Sequence, residues 1–230
     1  RQVLDKIGVQ PAPIIKINRL PIWRYAAAAV FIICLSITGT LWFTESHIEK
    51  DAVAMIEHYV KNGKREIITL PDGSTIHLNS GSHIFYPENL EGKTRTVYLL
   101  GEADFKVAKN PEKPFIVRSA DMAITALGTE FNVKAYKDNE TTVATLVNGQ
   151  ISLIVHGDSC TLYPGEQAQI SNEKVTVTTV NTANYIAWRE GIVAFEEERL
   201  ENIMNELRRW YDIDVFYENE TFGISFVNLL

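Results

Sequence analysis

Few residues of this chain are of a type that does chemistry, and their spacing is poor for it. His77 and His83 stand on either side of Asn79-Ser80-Gly81. Two imidazoles without a third ligand or a nearby cysteine make a poor metal site, and they read as exposed strand histidines. His156 and Cys160 combine a base and a thiol, the ingredients of nucleophilic catalysis. Gly157 and Asp158 between them spell a turn, and nothing adjacent would orient the imidazole, so Cys160 reads as a quiet thiol. Glu102 and Asp104 fall on one face of a strand, where crowded carboxylates raise each other's pKa; a solvated face is the plainer reading. Glu196–Glu198 reads as the start of a helix, not as a cation cluster. Asn139-Glu-Thr141 and Asn219-Glu-Thr221 match the glycosylation triplet, a pattern too short to carry weight. No G-x-S-x-G, H-E-x-x-H, C-x-x-C, P-loop or G-x-G-x-x-G occurs. The residues therefore describe a protein that is not an enzyme, with no catalytic site, cofactor or metal.

The chain is organised instead around an uncharged run, residues 25–43, YAAAAVFIICLSITGTLWF. A helix of that length spans about 28 Å, close to a bilayer core of about 30 Å. Trp23 and Arg24 before it and Trp42 at its end are the expected membrane anchors. A buried soluble helix is usually shorter. A cleaved signal peptide, with Thr44 and Ser46 as a weak cleavage pair, is the alternative. Residues 1–24 carry five basic side chains against one acid, whereas residues 45–230 carry 17 basic and 28 acidic ones. By the positive-inside rule the N-terminus is cytoplasmic and the acidic remainder lies outside the cytoplasm. That acidity argues against direct nucleic-acid binding. Cys34 lies in the apolar run and Cys160 far beyond it, so they are not expected to pair.

Five segments follow. Residues 1–24, with Pro11, Pro13 and Pro21, read as a juxtamembrane linker; residues 25–43 are the span. Residues 44–63 read as a stem that continues the helix outward, since Ile48, Ala52, Met55, Ile56 and Tyr59 recur at three to four. Residues 64–180 read as many short strands with turns every 8–12 residues or so: a β-sandwich or roll, or a β-solenoid. Asp72-Gly73 and Asn148-Gly149 are the hairpin signals. Gly101 and Gly128 precede strands, where positive φ or close backbone approach is expected. Residues 185–230 read as a small, incomplete α+β unit. Its strands are Gly191–Phe195 and Ile213–Tyr217. Between them lies a helix with an apolar stripe of Leu200, Ile203, Met204, Leu207, Trp210 and Tyr211.

The order of motifs resembles the FecR family of transmembrane anti-sigma regulators. The resemblance is carried by ITLPDGSTIHLNSGSHIFYP (68–87), RTVYLLGEADFKVAKNPEKPFIVRS (95–119), ALGTEFNVKAY (126–136), TLVNGQISL (145–153), LYPGEQAQI (162–170) and WREGIVAFEEERLENIMNELRRWYDIDVFY (188–217). It implies a single-pass protein of the bacterial inner membrane. The cytoplasmic part would bind an extracytoplasmic-function sigma factor. The periplasmic part would receive a signal from a TonB-dependent receptor engaged in iron or glycan uptake, commonly with regulated cleavage by site proteases. The small C-terminal unit resembles the start of a secretin/TonB short N-terminal domain. Arg1 is not an initiator methionine, so most of a sigma-binding part is expected to precede it.

On this reading the receptor's signalling domain docks on the C-terminal unit by strand addition at Ile213, Val215 and Tyr217 or at Ile192 and Val193. A membrane-anchored scaffold or envelope-binding protein with no regulatory role is the alternative. An anchored hydrolase with an unrecognised site is a more distant one.

Overall fold

The computed structural model describes residues 29–40, 54–119, 122–172, 174–215 and 226–229. Two units are described separately. In the first, residues 29–40 form helix α1, inside the predicted span, with side chains exposed all round. The hydroxyls of Ser36, Thr38 and Thr40 donate to carbonyls three or four residues back, so these polar groups are satisfied within the helix. Among the described residues no helix is long and apolar enough to cross a membrane. The remainder of the 25–43 run and the anchors Trp23, Arg24 and Trp42 lie outside the described residues.

The second unit is built on one long strand. β5 (Arg95–Lys106) belongs to two sheets at once. Its first half pairs with β4 (His83–Pro87) and runs parallel to β6 (Phe115–Ser119). Its second half pairs with β3 (Thr75–Leu78) and β8 (Glu130–Ala135). On the first side the order is β1 (Met55–Tyr59), β4, β5, β6, β7 (Met122–Ala126), β10 (Ile151–Val155) and β11 (Asp158–Leu162). On the second it is β2 (Glu66–Thr69), β3, β5, β8, β9 (Thr142–Asn148), β12 (Glu166–Ser171) and β13 (Lys174–Thr179). The curled sheet closes on one core. Phe105 of the second side stacks on Phe131 at 5.2 Å and tilts against Phe115 of the first side at 6.2 Å. Val97, Val117, Ile124 and Leu153 line it from one side, and Ile76, Leu78, Val133 and Leu146 from the other.

The turn at β5 is made by Gly101, at φ 113°. A Cβ there would lie 2.6 Å from Ser82 Oγ and 2.7 Å from Ser82 Cα, so only glycine lets the two chains cross this closely. Gly128, at φ 142°, is pressed against Lys109 in the same way. Asp72-Gly73 does close the β2–β3 hairpin. Asp72 accepts from Ser74 N and Oγ at 3.0 and 2.7 Å and from the buried Arg95 Nη1 at 2.6 Å.

Several expectations change. Residues 55–59 are strand β1, not a continued helix: their backbone finds a ladder on β4, with Ile56 opposite Tyr86. Asn148-Gly149 is not a hairpin. β9 ends on the second side and β10 begins on the first, so this turn carries the chain across the core. The tight hairpin is His156-Gly157, both at positive φ, joining β10 to β11.

The C-terminal part begins with α2 (Thr182–Ile186), whose N-cap is Asn181, and a 3-10 turn, Ala187–Glu190. Next come β14 (Phe195–Arg199), α3 (Leu200–Tyr211) and β15 (Phe226–Leu229), which pairs antiparallel with β14. Glu196–Glu198 therefore lie in a strand. The strand expected over 191–195 gives way because Gly191 caps the 3-10 turn at φ 83°, and Ile192 N is spent on Ala187 O. Over 213–215 the expected strand gives way for a similar reason, and Phe216 and Tyr217 lie outside the described residues. Asp212 caps α3 at φ 52°, and Ile213 N donates to Arg208 O.

Candidate functional site

Alternation along β3, β5, β8, β9 and β12 puts apolar side chains on one face and polar ones on the other. On the polar face His77, Asp104, Asn132, Thr145 and Gln167 stand in one row across the five strands, by register. Glu102 and Lys134 stand in the next row. This face is not solvated. Asp104 and Thr145 are fully buried, and Glu102, Asn132 and Gln167 nearly so. The C-terminal part covers them.

The cover is held by specific polar contacts. The Trp188 indole N–H donates to Asn132 Oδ1 at 3.1 Å. Arg189 Nη1 donates to Asp104 Oδ2 at 2.8 Å and to Glu130 Oε1 at 2.9 Å. Lys134 Nζ pairs with Glu206 of α3. Arg209 donates to both oxygens of Asp138, at 2.9 and 2.8 Å, and lies over the Tyr136 ring at 3.7 Å. Asn79 and Asn132 donate their amides to Glu102 at 2.8 and 3.0 Å. A cleft of about 840 Å³ runs beside these groups, lined in part by Glu102, Lys134, Glu198, Asn202 and Glu206.

Burial sets the electrostatics. It pushes the Asp104 carboxyl up to about 6, with Arg189 working against the shift. Asp104 Oδ1 has no hydrogen-bond partner, which fits a carboxylate poorly compensated for lost water. Burial also raises Glu102. Burial disfavours the ammonium of Lys134, but Glu206 and Glu102 outweigh it and hold its pKa above the ordinary lysine value. So the two carboxylates singled out in the sequence are perturbed, but by desolvation and not by mutual crowding, and the solvated strand face expected for them is a covered one.

The other candidates separate. His77 is in β3 on the second side and His83 in β4 on the first, where it stacks on Tyr59 at 4.2 Å. Burial and Arg189 lower His77. Among the described residues no three metal-ligating side chains cluster. Cys160 is in β11, packed against the core, and burial raises its thiol. Of the residues expected to meet a partner, Ile192 and Ile213 are 59% and 48% exposed, and Val193 and Val215 are half-buried. Tyr217 lies outside the described residues. Sequence reasoning missed Lys134, Asp138, Trp188, Glu206 and Arg209. The available signal was Glu206 and Arg209, three and six residues after Ile203 of the apolar stripe of α3 and so in line with it.

Known proteins fit this geometry. The FecR protein family matches residues 57–152, and the family described as FecR, C-terminal matches residues 192–227. The chain is similar to two crystal structures of a candidate anti-sigma factor from Parabacteroides distasonis. One is 28% identical with a TM-score of 0.74, covering 76% of this chain and 83% of that one. The other is 30% identical with a TM-score of 0.72, covering 75% and 82%. No curated protein matches. The chain belongs to the FecR family.

Proposed function

We propose that this protein is a regulatory anti-sigma factor that relays a signal from the bacterial envelope to a sigma factor of the extracytoplasmic-function class. The observation that carries this is the match of both FecR families in order, with a solved candidate anti-sigma factor 30% identical over three quarters of the chain. The apolar run at 25–43 and the exposed apolar surface of α1 support a single inner-membrane crossing. The basic flank supports a cytoplasmic N-terminus, with residues beyond the span in the periplasm. The signal comes from the signalling domain of a TonB-dependent receptor docking on the apolar residues Ile192, Val193, Ile213, Val215 and Tyr217 of the C-terminal part, and site proteases complete the response.

The test is transcriptional. In the native host, deleting codons 53–230 should fix one set of sigma-dependent genes in a single state, whatever nutrient is supplied. The double variant Ile192→Asp/Ile213→Asp should fold, since both side chains are exposed, yet lose the response. An unaltered transcript profile after the deletion would exclude a regulatory role. A normal response in the double variant would exclude this docking surface.

A further inference from the structure

The C-terminal helix reaches back to the beginning of the β unit. Gly63, in the β1–β2 turn, donates its N–H to Arg209 O at 2.8 Å. Arg65 lies over the Trp210 ring at 4.8 Å and donates to Trp188 O at 2.7 Å. Gly81 is packed so tightly that a Cβ would meet Asn62 Oδ1 at 2.9 Å and Arg209 Cδ at 3.3 Å. The turn that follows β1 is thus wedged between the end of α3 and the 3-10 turn. β1 itself is an edge strand with one ladder partner, β4, and four of its five residues are exposed.

The contact that holds α3 is built to let go. Its buried residues are Ile203, Glu206 and Arg209, one apolar and two charged. Arg209 Nε and Nη2 and Trp210 Nε1 are buried without hydrogen-bond partners. Ion pairs with incomplete hydrogen bonding repay little of their desolvation cost, and polar interfaces between parts of a chain come apart more readily than apolar ones. The adjoining cleft is lined by Lys134 and Glu206.

We infer that α3 is a releasable clasp on the β1–β2 turn, so that undocking of the C-terminal part loosens β1 while the rest of the curled sheet stays folded. Resting on the relay reading above, this deepens it. Docking at the C-terminal part then frees an extended segment at the start of the β unit, the form in which a peptidase binds chain by strand addition.

Hydrogen exchange on the full chain in detergent micelles tests this, with Arg209→Met on one side of the contact and Asp138→Ala on the other. Amides of α3 and of residues 55–65 should exchange at least tenfold faster in both variants, while those of β6, β7 and β10 keep their rates. Faster α3 with unchanged 55–65 would overturn the clasp. So would an unchanged α3, which would mean these contacts do not hold it. Faster exchange throughout both variants would also overturn it, since α3 would then be part of the global core. No sigma factor or receptor enters the measurement, so its failure leaves the transcriptional reading standing. Failure of the transcriptional test likewise leaves this result readable.

Discussion

Asp104 is a carboxylate held out of water with Arg189 as its ion-pair partner and one unpaired oxygen. Its folded pKa, about 6, lies above the ordinary aspartate value of 3.8. Between those values the folded state binds more protons than the unfolded one, so stability falls as pH rises. The contribution is fully present below about pH 4 and is lost on passing through about pH 6. Asp104→Asn removes the titration. Urea unfolding should therefore show the wild type gaining about 1 kcal/mol on the variant between pH 7 and pH 5. A gap independent of pH would mean that the carboxylate is better solvated than its burial implies. The residue type and its place on a strand face were legible in the sequence. Its burial was not, because the covering Arg189 comes 85 positions later.

At the scale of elements, β5 is the hinge of the curled sheet, and Gly101 is the point where it changes sheets. Gly101→Ala combines positive φ with a clash on Ser82 backbone, which no rotamer change relieves. Unfolding measurements should show a loss of about 3–5 kcal/mol, the sum of backbone strain and overpacking. A loss below about 1 kcal/mol would contradict the crossing geometry. Most strands of the β unit were readable from alternation and turn residues. β1 was not, since Met55, Ile56 and Tyr59 follow a helical spacing, and only the ladder offered by β4 overrides it. Asn148-Gly149 failed for a related reason. The dipeptide specifies a reversal, but whether the next strand pairs with the last depends on which sheet has room for it.

For the whole molecule, the uncharged run and the basic flank make a topological prediction. A periplasm-dependent phosphatase reporter fused after Val180 should be active, and one fused after Asn18 inactive. The reverse pattern, or two inactive fusions, would remove the envelope-facing role. Charge asymmetry, the apolar run, the mainly-β character and the FecR motifs were all determined by the sequence, because each is local: a hydropathy window, a period of two, a turn dipeptide. The covered polar face, the clasp of α3 on the β1–β2 turn and the sharing of β5 between two sheets were decided only by the tertiary structure. A repeating pattern tells which side chains share a face, but what lies against that face is chosen by segments distant in the chain, through contacts such as Lys134 with Glu206 that no local window contains.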